Sequence, residues 1–160
     1  MGSMREDYLL RMIERAFEVL RRILLRRQAK EFHAAAREAD GAVDDLLGPL
    51  AAVATRLDAT TAAQLLRDPE RVTLWARLLA EKAEALREDG RDPLPTGRRA
   101  LETALEAWLL EDDQRRLTTE LRGVLADTLG MARGWADPAD LSPRHRDALD
   151  GATRSLRGEP

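Results

Sequence analysis

Apolar residues recur at three- and four-residue steps along most of this chain, the period of helices, and no segment alternates as a credible strand would. The longest unbroken pattern spans residues 4–28. There Leu9, Leu10, Met12, Ile13, Ala16, Phe17, Val19, Leu20, Ile23 and Leu24 fan over roughly half of the helix circumference, against a stripe of about 100° on an ordinary surface helix. A single neighbouring helix cannot cover so wide an arc, so the pattern predicts a hub. Burial worth roughly 1.5 to 3 kcal/mol per side chain matches the cost of ordering this backbone, about 1 to 2 kcal/mol per residue, only when partners are present.

A second helix is predicted over residues 29–47, with Phe32, Ala35, Ala36, Ala39, Val43, Leu46 and Leu47 on one face and Gly48-Pro49 as its stop. Its alanines allow close backbone approach, so the first two helices should form a hairpin. Residues 50–57 and 60–67 read as short connecting helices, with Thr60 or Asp58 as N-cap. Asp68-Pro69 is a clean start signal for a third long helix reaching Asp89, with Gly90 beyond it and Val72, Trp75, Leu78, Leu79, Ala83 and Leu86 facing the core. Residues 91–97, stiffened by Pro93 and Pro95, lead into a fourth helix over 96–112 bearing Leu101, Ala104, Leu105, Trp108 and Leu109. A fifth, over 114–133, places Leu117, Leu121, Val124, Leu125 and Leu129 in helical register. Two further proline-led starts follow, at Asp137-Pro138 and Ser142-Pro143, the last reaching Leu156 with a thin face of Leu149, Ala152 and Leu156. The expected fold class is therefore all-α, with about five main helices and short connecting ones. Residues 1–3 read as an expression scar, 4–136 as one helical domain, and 137–160 as short helices docked loosely or frayed.

Charge refines this picture without redirecting it. The 26 Lys and Arg against 29 Asp and Glu leave a net charge of −3, so no global field recruits nucleic acid or anionic membrane. Locally, residues 1–30 carry +4 and residues 31–70 carry −5, which favours packing the first helix against the second. Arginine dominates lysine and asparagine is absent, as in a GC-rich genome. With no cysteine and no run of eighteen apolar residues, the expectation is a soluble, cytoplasmic protein.

The first hairpin resembles a degenerate tetratricopeptide repeat. Val19, Ile23 and Arg26 take helix-A positions, and Phe32, Ala35, Ala39 and Ala42-Val43 fall at helix-B spacings, with Pro49 after the second helix. A looser second copy runs through Leu79, Ala83, Leu86 and Gly90, then Ala100, Ala104 and Ala107-Trp108, although Trp75-x-x-Leu78 fits the helix-A start equally well. The close-packing glycine and the usual tyrosine are missing from both. The opening Asp7-Tyr8-Leu9-Leu10-Arg11-x-Ile13-Glu14 also looks like an uncharacterised bacterial family of short all-helical proteins. That resemblance covers residues 4–112 and implies a helical fold and no reaction.

Candidate chemistry is thin. The serines are Ser3, Ser142 and Ser155, and Ser142 reads as an N-cap rather than a nucleophile. His33 and His145 sit in no zinc-binding spacing. Glu38, Asp40, Asp44 and Asp45, and Glu111, Asp112 and Asp113, offer oxygens for a hard cation but read first as solvated helix faces. No catalytic residue, metal or cofactor is expected. Trp75, Trp108 and Trp135 read as core before they read as a peptide groove. Arg11, Arg15, Arg22 and Arg26 form a stripe of possible anion-binding residues on the first helix, with Asp7, Glu14 and Glu18 close enough to pair with them along the helix. The expected function is a non-catalytic protein-interaction or scaffold module that pairs with itself or an unknown protein through Leu9, Leu10, Ile13, Phe17, Leu20 and Leu24. Nucleic-acid binding through the arginine stripe and peripheral membrane association are the alternatives.

Overall fold

The computed structural model describes residues 3–158. Met1 and Gly2 of the expected expression scar, and Glu159 and Pro160 of the expected C-terminal segment, lie outside the described residues. Eight α-helices follow one another: α1 (Ser3–Gln28), α2 (Phe32–Leu47), α3 (Ala51–Ala54), α4 (Ala59–Leu66), α5 (Pro69–Glu88), α6 (Leu94–Gln114), α7 (Thr119–Ala132) and α8 (Pro143–Leu156). Short 3-10 turns lie at Gly48–Leu50, Arg133–Trp135 and Pro138–Asp140. Seven of the eight helices are eight residues or longer, more than the five main helices expected, because α4 and α8 are full elements. Among the described residues there is no strand, and no helix is long and apolar enough to cross a membrane.

Local chemistry fixes the boundaries. The Asp68 carboxylate accepts from the backbone N–H groups of Glu70 and Arg71, at 3.1 and 3.3 Å, and Pro69 occupies the first turn, so α5 starts where the Asp-Pro pair predicts. Asp58 caps α4, accepting from Thr61 N–H at 2.9 Å, which leaves Thr60 free for another role. Thr118 and Ser142 cap α7 and α8 through their hydroxyls. The helix stops are less orthodox. Gly90, at φ 73°, follows α5 as expected, but Lys30, Arg67 and Arg115 adopt left-handed φ of 61°, 56° and 51° after α1, α4 and α6. Left-handed Lys30 is why α2 begins at Phe32 and not at Ala29.

α5 is the centre. It packs against α2 on one side and α6 on the other, with α7 and α1 also touching it. Val72, Trp75, Leu78, Ala83 and Leu86 are buried as predicted, and so are Thr73, Leu74, Ala76, Ala80, Glu81 and Ala85 around the rest of its circumference. The hub expected at α1 is therefore corrected: α1 lies at the edge, packs mainly on α2, and buries only Ala16, Leu20 and Ile23 of its apolar set. The other face of the molecule is closed by α7 across α5 and α6, and by α4 and α8 against α6.

The C-terminal segment packs through a largely different set of residues from the thin apolar face of Leu149, Ala152 and Leu156. Leu141, His145, Ala148 and Ala152 are buried, whereas Leu156 is exposed. Two glycines make this closure possible. A Cβ on Gly97 would lie 2.4 Å from Cγ of Trp135, and one on Gly151 would lie 2.9 Å from the Trp108 ring, so both indoles sit directly on helix backbone.

Candidate functional site

The six residues expected to carry a partner contact separate into three environments. Leu20, 8% exposed, points into the core with Ala16 and Ile23, and this removes it from any docking face. Leu9, Ile13 and Phe17 are half-buried at its border. Leu10 and Leu24 stay 56% and 41% exposed. On a helical wheel Leu10, Ile13, Phe17 and Leu24 fall on one side of the Ala16–Ile23 core line, at heptad spacing. They leave an apolar strip along the flank of α1, with Leu25 exposed beyond it.

On the opposite flank, the arginine stripe is only partly free. Arg26 Nε donates to Glu38 Oε1 at 2.7 Å and its terminal nitrogen to Glu31 Oε2 at 2.8 Å, while Arg22 Nε reaches Glu38 Oε2 at 3.4 Å. Hydrogen bonding to Glu38 is the largest influence on Arg26 and raises its pKa. The expected intrahelical pairing with Glu14 and Glu18 is corrected for these two residues: their partners come from α2 and the turn before it. Arg11 and Arg15 instead line a groove of about 210 Å³ between α1 and α2, with Met12, Val19, Asp45 and Leu46.

Two buried ionic clusters hold the helices in register, and neither was predicted. At the C-terminal end of α1, Arg27 donates to Glu81 Oε2 at 2.6 Å and from Nε to Glu88 Oε1 at 2.9 Å, and lies 4.0 Å from Glu84, while Arg77 donates to Glu81 at 3.0 Å. Glu81 is 1% exposed and would be a costly buried charge without these two guanidiniums. Burial works against the Arg27 charge, but Glu88 and Glu81 outweigh it and raise its pKa.

The second cluster fastens α8. Glu106 on α6, 1% exposed, accepts from His145 Nε2 at 2.6 Å, from Arg144 Nε and a terminal nitrogen at 3.0 and 2.9 Å, and from Thr60 Oγ1 at 2.9 Å. Burial alone would raise the Glu106 pKa, but these hydrogen bonds overcome it and hold the carboxyl at about 2. A His–Glu pair is also what a general base uses. Here both residues are buried and the glutamate is saturated with donors, which makes the pair a clamp between α4, α6 and α8.

The remaining candidates take structural places. The Ser142 hydroxyl accepts from His145 N–H at 3.2 Å, as a cap. Asp40 pairs with Lys82 at 2.7 Å, and Glu111 accepts from the backbone N–H groups of Arg116 and Leu117 at 2.9 and 2.8 Å, closing the turn into α7. Among the described residues, no group of three or more His, Asp or Glu is gathered for a metal ion. Trp75 is buried beneath Arg99, whose guanidinium lies 5.2 Å from the ring centre, and Trp108 and Trp135 are half-buried far from it in sequence. The three indoles do not form one groove.

The structure thus defines an all-helical protein built around α5, with an apolar flank on its first helix. No family model, curated protein or solved structure matches the chain.

Proposed function

We propose that this protein is a non-catalytic helical module that pairs with a second copy of itself, antiparallel, along α1. The observation that carries this reading is the strip formed by Leu10, Ile13, Phe17 and Leu24, in which Leu10 and Leu24 are exposed and Ile13 and Phe17 are covered only in part by the protomer. Charge selects the occupant and its direction. With a two-fold axis near Phe17, Leu10 meets Leu24 of the other copy, and Glu14 beside the strip faces Arg21. In a parallel arrangement Glu14 and Arg21 would fall on opposite flanks of the seam from their counterparts, and the Glu14–Arg21 pair could not form. Both residues are exposed and form no ion pair within the protomer among the described residues.

The hairpins α1–α2 and α5–α6, stacked through α2 and α5, support the further reading that this is a short tetratricopeptide-like solenoid of the bacterial cytoplasm. In that architecture the flank of the first helix is the open end of the stack. The engagement of Arg22 and Arg26 by Glu38 weighs against use of the arginine stripe for nucleic acid.

Light scattering after size exclusion tests the proposal. The expected mass is twice the 17.9 kDa protomer at tens of micromolar, falling toward the protomer mass in Leu10→Glu and Phe17→Glu. Leu10 is exposed enough that its change leaves folding intact. A wild-type monomer, or an unchanged mass in both variants, would overturn the reading.

A further inference from the structure

Four arginines from separate segments meet in one cleft that has no part in the pairing flank. Arg5 comes from the start of α1, Arg67 from the left-handed turn after α4, Arg71 from the first turn of α5 and Arg116 from the turn between α6 and α7; with Tyr8 and Asp68 they line a space of about 350 Å³. Arginine is common throughout this chain, but the net charge is −3 and the cleft gathers four arginines with Asp68 as the one acidic lining residue.

Elsewhere in the molecule, three arginines at helix contacts meet carboxylates closely: Arg26 lies 2.7 Å from Glu38, Arg27 2.6 Å from Glu81 and Arg144 2.9 Å from Glu106. In the cleft the pairing is loose. The Arg71 guanidinium lies 3.8 Å from Asp68 and only 3.5 Å from the Tyr8 hydroxyl and the Met12 sulfur, and Arg116 lies 3.4 Å from Glu70. Arg5 and Arg67 have no carboxylate within ion-pair range among the described residues. Asp68 is already committed to the backbone N–H groups that it caps. Burial, and then the neighbouring Asp68, push the Glu70 carboxyl up to about 7, so at neutrality it is only half ionised and offsets less positive charge than a full carboxylate. Four arginines lining one space, with so few close carboxylates, leave a local excess of positive charge that a bound anion would neutralise.

The guanidinium fork matches pairs of oxyanion oxygens, and several forks around one space match an anion with several such pairs. The volume lies at the lower end of small-ligand sites, roughly 300 to 1,000 Å³, and exceeds the need of a lone phosphate. We propose that this cleft binds a small anion of the diphosphate class, gripped by Arg5, Arg67, Arg71 and Arg116. The inference does not depend on self-association, because the cleft and the apolar strip lie on different sides of α1.

Titration calorimetry of the full chain, with inorganic pyrophosphate, ADP and inorganic phosphate as probes, tests it. One site is expected for pyrophosphate, with phosphate weaker by about tenfold, the effect of losing one charged hydrogen-bonding contact. Equal affinity for ADP and pyrophosphate identifies the bare diphosphate as the ligand, and tighter ADP binding identifies a nucleotide; both support the site. Arg5→Ala and Arg116→Gln should each weaken binding by about tenfold without moving the melting temperature, Arg22→Ala should leave it unchanged, and the Leu10→Glu variant should bind like wild type. Absence of binding by both pyrophosphate and ADP, or an equal loss in Arg22→Ala, would overturn the proposal.

Discussion

α1 and α5 are both long and both rich in apolar residues, yet they occupy opposite stations. α1 carries the larger side chains and lies at the edge, with Leu10, Leu24 and Leu25 exposed. α5 is buried around nearly its whole circumference, and much of that surface is alanine and threonine: Thr73, Ala76, Ala80, Ala83 and Ala85. Small residues let α2 and α6 approach from both sides, whereas bulk on one broad face calls for partners without saying that the same chain provides them. Centrality in this fold follows how evenly non-charged positions surround the helix. It does not follow how much apolar bulk the helix carries.

Truncation at the two stations should differ most. Leu78→Ala on α5 removes a fully buried side chain and is expected to cost about 2 to 5 kcal/mol in urea unfolding. A loss below about 1 kcal/mol would show that α5 is not the centre. Next in size, Gly97→Ala would force Trp135 off the α6 backbone at a cost of about 1 to 3 kcal/mol, while Gly123→Ala, at an exposed position of α7 with nothing within 4 Å, should gain up to about 1 kcal/mol.

The pH profile sharpens the contrast, because both strongly shifted carboxyls belong to the α5–α6 hairpin and none belongs to α1. Glu106 falls from 4.5 in the unfolded chain to about 2, so its contribution is complete above pH 4.5 and disappears as pH drops toward 2. This term is of order 1 to 3 kcal/mol. Glu106→Gln should remove that part of the acid sensitivity and loosen α8, read as faster amide exchange at Ala148 and Ala152. Glu70 moves the other way, from 4.5 to about 7, so the folded protein keeps a proton that the unfolded chain has released, and stability falls as pH rises through that window. Glu70→Gln should flatten the decline between about pH 5 and pH 8. An unchanged slope would contradict the assignment. Smallest of all, at dilutions where the protein is a single protomer, Leu10→Ser and Leu24→Ser on α1 should alter stability by no more than about 0.5 kcal/mol, since neither side chain is in the core.

Most helices were legible because their starts carry local chemistry. Asp68-Pro69 and Ser142-Pro143 cap the helices that they precede, and Gly48 and Gly90 end theirs. The ends of α1, α4 and α6 fall within two residues of expectation, but the left-handed Lys30, Arg67 and Arg115 that follow them were not legible, since a left-handed basic residue leaves no signature like glycine. Pairings across long separations were also hidden. Arg27 with Glu81 and His145 with Glu106 depend on which helices meet, and at the level of sequence each is an ordinary charge on an amphipathic face. A charged residue embedded among apolar ones, as Glu81 and Glu106 are, was the available signal. The arginine stripe of α1 was visible and the arginine cleft was not, because four residues from four segments share no spacing.

The antiparallel pairing along α1 can be tested most directly by sedimentation equilibrium of Glu14→Arg, Arg21→Glu and the double variant. Each single change should weaken the dimer by placing like charges opposite each other at two symmetric points, and the double variant should restore it by exchanging the partners. A monomeric wild type, or a double variant no tighter than the singles, would contradict the account.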